Sequence, residues 1–416
     1  MHICGQGLLM TSLLHVAILC QGWVMQAICH LARRNNHNPT KIIYLPVLDY
    51  KIIWLILAFR KSIKQFINDT QMKKILLGVG ASLMLASSAM AQDPHFTQYF
   101  ASPLTLNPAL TGLVNCDLRL AANYRTQWGS VSPNPYITGT ISYDMATMKG
   151  VLGNGDAVGV GVMGLFDRSG VGGLQNTSFG LSLAYHKAFG HEKQHTLSLG
   201  LQGVLVQKSL DFSKLKFEDQ FNFSTGGAEY NTAENIGNAD VTYPDFNVGL
   251  MYSGRMSENS TMYAGFSYYH LTRPVETFLN GNHQIHARYS GYLGGSFDLN
   301  ENIVLYASGL VQSQAGASEI LAGAAVGFVL NPGHDAEYAK NTILYLGGWY
   351  RYNDAIAPYI GLEWSKMKLG ISYDLNMSGF APATRGSGGY EISLIFNGCI
   401  NKRENRPTYN FACPKF

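Results

Sequence analysis

"HTLSLGLQGVLV", residues 195–206, alternates: Leu197, Leu199, Leu201 and Leu205 fall on one face, and Thr196, Ser198, Gly200 and Gln202 on the other. A period of two is that of a β-strand whose two faces meet different surroundings. Bulky apolar residues on one side and small or polar ones on the other fit a strand with lipid outside and an interior within. Unpaired backbone groups are too costly in lipid for any sheet but a closed one, so such a strand implies a barrel.

The pattern recurs down the chain, at 117–128 (DLRLAANYRTQW), 136–146, 156–166, 175–188, 245–254, 260–270, 284–298, 302–313, 317–330, 341–352, 356–364, 366–375 and 388–397. Together with 195–206 these segments predict an all-β fold, a transmembrane antiparallel β-barrel of about 14 strands over residues 117–397, with both ends in the periplasm. Connection lengths agree. Residues 207–244, 271–283 and 376–387 are elaborate and belong outside, whereas "GHEKQ", "RMSENS" and "LNEN" read as periplasmic turns; "NPGHDAEYAK" at 331–340 is a long exception. Tyr143, Tyr185, Tyr252, Tyr268, Tyr269, Tyr289, Tyr306, Trp349, Tyr350, Trp364 and Tyr373 fall mostly near strand ends, where aromatic rings sit at headgroup level, with some left for internal packing. Glycines within the strands, as in "VGVGVMG" and "LAGAAVG", are expected to allow curvature or to clear the inner wall for larger residues or a plug.

Composition points the same way. Charged residues make up 14%, aromatics 12%, and there are 45 glycines. No apolar run in residues 92–416 reaches the ~18 residues of a membrane helix. The net charge of +3 is too small to suggest nucleic-acid binding.

Ahead of the strands, "MKKILLGVGASLMLASSAMAQ" has the parts of a secretory signal peptide: Lys73 and Lys74, an apolar core from Ile75 to Leu85, and a small-x-small site before cleavage between Ala91 and Gln92. Because it begins at Met72, residues 1–71 are expected to be a non-native upstream extension from a mis-assigned start, or disordered. A competing reading makes residues 7–32 an inner-membrane signal anchor, with Cys4, Cys20 and Cys29 as lipidation or thiol sites. Amino-terminal sequencing of the mature protein separates the two. After cleavage Cys116, Cys399 and Cys413 remain; Cys399 and Cys413 are the expected disulfide pair, with Cys116 beside the first strand.

Catalytic chemistry has no foothold. The chain lacks GxSxG, HExxH, P-loop and CxxC motifs, and no cofactor is implied. His186, His191 and His195 read as a solvated periplasmic turn rather than a metal site, and His283 and His286 likewise. The stretch from Asp211 to Phe246 is too long for a simple hairpin; its alternating aromatics and acids suggest a cap over the barrel or a partner-binding loop, without the spacing of a calcium loop.

Between the signal peptide and the first strand lies "QDPHFTQYFASPLTLNPALTGLVNC", with three prolines and no alternation, which predicts an ordered non-strand segment over 92–116. Phe96, Tyr99, Phe100, Leu104 and Leu106 are its expected buried anchors, either as a plug of the lumen or as a peptide docked to a periplasmic partner. Arg119 and Arg125, six apart in the first strand, share a face and are costly in lipid, so they are expected to point inward and pair with carboxylates such as Glu363 or Glu391.

Asp93, Pro94, Phe96, Gln98, Tyr99, Asn107, Pro108 and Gly112, followed by Arg119, Asn123, Tyr124, Arg125, Gln127 and Trp128, resemble the amino-terminal signature of the PorP/SprF family. At the far end "SYDLNMSG", "GGYEISLIF", Cys399 and the pair Cys413-Pro414 resemble its carboxy-terminal pattern. The resemblance spans the mature chain and none of residues 1–71. It implies an outer-membrane protein of the Bacteroidetes type IX secretion and gliding system, non-enzymatic, which supports secretion or surface anchoring of proteins bearing a type IX C-terminal signal. Its implied partners are outer-membrane lipids, periplasmic ring or lipoprotein components and a secreted surface protein, with 398–416 as a periplasmic tail. The alternative is a porin-like diffusion channel for small solutes.

Overall fold

A computed structural model describes residues 93–399, except 115, 150, 153–154, 191–192, 223–226, 229–230, 233–239, 277–282 and 331–341. The chain divides into two compact units, Met1–Ser88 and Ala89–Phe416, and every described residue belongs to the second. The upstream segment, the signal peptide, the Ala91/Gln92 cleavage site, His191 and the tail carrying Cys413 lie outside the described residues.

Fourteen strands close into one antiparallel barrel. They are β1 (Leu118–Gln127), β2 (Tyr136–Thr147), β3 (Ala157–Ser169), β4 (Leu174–Phe189), β5 (His195–Ser209), β8 (Asp240–Ser257), β9 (Ser260–Tyr269), β10 (Arg288–Asn300), β11 (Ile303–Gln314), β12 (Ala317–Val329), β13 (Ile343–Arg351), β14 (Ala355–Trp364), β15 (Met367–Asn376) and β16 (Ser387–Gly398). Two short strands, β6 (Phe221–Asn222) and β7 (Gly227–Ala228), pair in the long β5–β8 connection. Each barrel strand pairs with its sequence neighbour, and β1 pairs with β16 from Leu118 opposite Gly398 to Gln127 opposite Gly389.

The alternation of β5 decides its faces as the sequence reading has it. Leu197, Leu199, Leu201 and Leu205 are exposed on the outer wall, while Thr196, Ser198 and Gln202 are buried inside. In the outer membrane those leucines meet acyl chains rather than water. Tyr143, Tyr185, Tyr289, Tyr350 and Tyr373 are also outward and exposed, whereas Tyr269, Tyr306 and Trp349 turn inward and are buried.

Connections at one end, 210–239, 270–287 and 377–386 among them, are long; those at the other include 258–259, 301–302 and 365–366. The end with the long loops is the outer end, because both chain ends of the barrel lie opposite it. The two largest boundary differences from the sequence reading are strand starts. β8 begins at Asp240 rather than 245, its upper part pairing only with β5, so Pro244 needs no hydrogen-bonded partner on its free edge. β10 begins at Arg288 rather than 284, because the chain before it turns back on itself: Val275 bridges Gln284, and Ile285 N donates to Pro274 O at 3.0 Å.

The expected Cys399–Cys413 disulfide is not formed: Cys399 is bonded to Cys116, with Cα atoms 4.7 Å apart. Barrel closure is the reason. Leu118 and Gly398 are register partners at the inner end of the β1–β16 seam, so the cysteines just beyond them meet.

Candidate functional site

Three prolines decide what residues 93–114 can be. Pro94, Pro103 and Pro108 lack the N–H that a strand ladder requires, and two of them start helical turns, at Pro103–Leu106 and Pro108–Leu110. A third turn spans Tyr99–Ala101. Such turns satisfy much of their own backbone, so the segment can lie within the barrel without joining its sheet. There it fills the lumen: residues 96–114 are buried throughout, apart from the half-buried Thr105.

Its apolar side packs on an inward aromatic wall. Tyr99, Phe100, Leu106, Ala109, Leu110 and Leu113 share one buried cluster with Tyr263, Tyr292, Tyr306, Tyr345, Trp349 and Tyr359. Phe100 lies 5.3 Å from the Trp349 ring and 5.9 Å from that of Tyr359. What remains between Tyr99, Phe100, Leu106, Leu110 and the wall is a cavity of about 10 Å³, room for one water at most.

Glycines let the backbone come this close. A Cβ on Gly249 of β8 would overlap Asn107 Oδ1, one on Gly200 of β5 would overlap the Pro108–Ala109 peptide, and one on Gly159 of β3 would overlap Thr111 O. Asn107 uses the room: Nδ2 donates to Leu250 O at 3.0 Å and Phe266 O at 3.2 Å, while Oδ1 accepts from Ala109 N at 2.8 Å.

Polar groups pin the segment at three levels. At the inner end Gly112 N donates to Asp144 Oδ2 at 2.7 Å. Arg119 pairs with the same carboxylate at 2.8 Å and donates to Leu110 O at 2.9 Å. His186, in phase with the inward Ser182 and Ala184, bridges Thr111 O (2.8 Å) and Ser198 Oγ (2.7 Å). Reading it as part of a solvated turn is therefore wrong. Of the described members of that group, His195 stays near the inner turn, beside Tyr252.

Higher up, Glu391 of β16 receives the amino-terminal motif. Its Oε1 accepts from Gln98 N (2.8 Å) and Asn123 Nδ2 (2.7 Å), and its Oε2 from Thr97 N (2.9 Å) and Arg125 Nη1 (3.2 Å). Arg125 also donates to Asp374 (2.6 Å) and to Thr97 Oγ1 (2.7 Å). Arg351 of β13 reaches Asp374, Glu319 and the Thr97 hydroxyl. Gln98 Nε2 donates to Ser372 Oγ and Glu391 O, both at 3.0 Å, and its Oε1 accepts from Ser393 at 2.6 Å. Buried charges are tolerated here because each has an opposite charge and further hydrogen bonds.

At the outer mouth Asp93 meets His270 at 2.8 Å and Arg288 at 3.4 Å, and His270 also faces Asp245 at 2.9 Å. Asp93 N donates to Gln314 Oε1 at 2.8 Å. Burial alone would disfavour the imidazolium, but the Asp93 and Asp245 carboxylates outweigh it and raise His270 to about 9. Burial would likewise raise Asp93, yet His270 and Arg288 hold it well below the usual carboxylate range.

The structure thus places Asp93, Gln98, Asn107, Gly112, Arg119, Arg125 and Glu391 along the lumen, Gln98 and Arg125 meeting at Glu391, Gly112 and Arg119 at Asp144, and Asp93 at the outer mouth, with Phe96, Tyr99 and Pro108 buried among them. Pro94 is half-buried near the mouth. Glu363 stands apart: it accepts from the Tyr345 hydroxyl at 2.5 Å, and neither arginine pairs with it. Asp144, Asp374, Glu319, Arg351, His270 and Arg288 escaped the sequence reading. Their signal was available for some, since Asp144 alternates in phase with Thr140 and Ser142. Among the described residues no group of three or more His, Cys, Asp or Glu side chains is placed to hold a metal.

Residues 88–396 match the family described as "Type IX secretion system membrane protein PorP/SprF". No curated protein sequence matches. Among solved structures, the toluene transporter TbuX of Ralstonia pickettii is similar at 11% identity and a TM-score of 0.41, over 72% of this chain and 94% of that one. The CymD monoaromatic hydrocarbon channel gives 11%, 0.40, 72% and 93%. BamA of Haemophilus ducreyi gives 10%, 0.34, 68% and 70%.

Proposed function

This chain belongs to the PorP/SprF family of type IX secretion system membrane proteins, and from that premise we propose that it acts as a closed, non-enzymatic barrel supporting the export or surface anchoring of proteins that carry a type IX C-terminal signal. The observation that carries the proposal is the filled lumen. Residues 96–114 occupy the interior and are pinned to the wall near both ends, which supports a scaffold more than a path for solutes. A diffusion channel needs a continuous aqueous route, whereas the space left where Tyr99, Phe100, Leu106 and Leu110 meet the wall is about 10 Å³, room for one water at most.

Partners in this reading are periplasmic components of the system at the inner end and a secreted surface protein at the outer end. The upstream residues 1–71 are proposed not to belong to the working protein, with 72–91 removed on export. The test is a clean deletion followed by quantitation of surface-exposed proteins in intact cells. Loss of one or more type IX cargo proteins from the surface, restored by the gene starting at Met72, supports the proposal; unchanged display of every such cargo defeats it.

A further inference from the structure

The amino-terminal segment does more than block the lumen: it runs through it from end to end. Gly112 sits beside Asp144 and Arg119, next to the inner turns and the Cys116–Cys399 bond. Asp93, about twenty residues earlier, touches His270 just past the end of β9, Arg288 at the start of β10 and Gln314 at the end of β11. All three belong to the outer end. His95 lies 3.9 Å from Glu319, two residues into β12 from the outer turn at 315–316.

This arrangement is costly for a segment that only needs to fill space, because its charged start could have stayed in the periplasm beside the inner turns. Instead a carboxylate, an imidazolium and a guanidinium hold it at the opposite mouth. The end remains reachable there: the Asp93 and His95 side chains are 25% and 29% exposed. They border a notch of about 20 Å³ shared with Arg288, Gln312, Gln314 and Glu319.

We propose that the mature amino terminus is threaded through the barrel and presented at the cell exterior, at the outer mouth around Asp93, His95 and Glu319. Cleavage after Ala91 would leave the terminus one residue from Asp93. The proposal rests on the fold and its orientation, not on the secretion role: normal cargo display in a deletion strain would leave it standing.

The experiment inserts a short epitope between Gln92 and Asp93 of the full-length protein and measures antibody binding to intact cells and to cells with a permeabilised outer membrane. Expected is full signal on intact cells, unchanged within about twofold on permeabilisation. A second set avoids the insertion. In a Cys413→Ser background, His95→Cys should react with a membrane-impermeant maleimide on intact cells, as should Gly379→Cys in an outer loop. Glu301→Cys, at an inner turn, should react only after permeabilisation. Heat-dependent mobility in detergent gels identifies folded barrels before either comparison is scored. If Gly379→Cys labels from outside while the epitope and His95→Cys label only after permeabilisation, the proposal is overturned. If Glu301→Cys labels on intact cells and Gly379→Cys does not, the orientation is inverted and the proposal falls with it.

Discussion

Replacing Glu391 by alanine removes the group on which the amino-terminal motif converges. Four donors meet that carboxylate at 2.7–3.2 Å: the backbone N–H groups of Thr97 and Gln98, Asn123 Nδ2 and Arg125 Nη1. Arg125 keeps Asp374 and the Thr97 hydroxyl. The other three interactions lose their acceptor, at about 1–3 kcal/mol for each buried donor left unsatisfied. The expected loss is at least ~3 kcal/mol, more than a hundredfold in the equilibrium between seated and released segment. Glu391→Gln should be milder, since one oxygen can still serve Gln98 N and Asn123 while the new amide faces the donors of Thr97 and Arg125. The assay is ion conductance of purified protein in planar bilayers, alongside protease cutting within residues 93–100. Wild type should be closed and resistant, Glu391→Ala should show frequent openings and faster cutting, and Glu391→Gln should lie between. A folded Glu391→Ala barrel as closed and as resistant as wild type would refute the reasoning.

Gly249→Val, whose side chain must collide with Asn107, should lower the thermal unfolding temperature by an amount equivalent to at least ~1–3 kcal/mol, whereas Gly164→Ala on the outer wall, where the nearest atom is the Ile141 methyl at 3.6 Å, should change it little. His270 has a folded value raised from 6.5 to about 9, so its contribution is fully present below 6.5 and is lost as pH rises through 9, by up to ~3 kcal/mol. Hydrogen exchange at residues 97 and 98, corrected for the intrinsic rate, should therefore accelerate between pH 8 and 10 in wild type and not in His270→Gln. Asp93 has the opposite sense: its contribution is present above its ordinary value of 3.8 and fades as pH falls below it. Reduction, or Cys116→Ser, opens a loop of 283 residues and should cost up to ~5–6 kcal/mol by chain entropy, read as a lower unfolding temperature; a Cys399–Cys413 peptide in a non-reducing digest would contradict the observed pairing.

The barrel was legible because lipid imposes its pattern residue by residue. β5 shows it plainly, and even the glycines of β3, β5 and β8 announced a close neighbour without naming it. Pro244 hid the start of β8, since proline in a strand is acceptable only where one edge is free, which is a property of the neighbours and not of the segment. Spacing along the chain suggested Cys399 with Cys413, but closure brings together residues 283 apart. Arg119 and Arg125 could be aimed inward from their phase, and Glu391 named as a partner from its place in a strand, whereas Asp144 and Asp374 depend on the register of β1 with β2 and on the approach of β15. His186 illustrates the limit best: it stands near the end of β4, close to a turn in the sequence, and its neighbours in space are Ser198 and the carbonyl of Thr111.

Occupation of the lumen by residues 93–114 underlies the closed-barrel reading, and one cross-link in the native outer membrane tests it. Ser102 Oγ and Thr140 Oγ1 lie 2.9 Å apart, one on the threaded segment and the other on the inner wall of β2. In a Cys413→Ser background, Ser102→Cys with Thr140→Cys should form a disulfide nearly quantitatively, seen as one linked peptide in a non-reducing digest. Two free cysteines, both open to maleimide in a folded barrel, would show that the segment lies elsewhere.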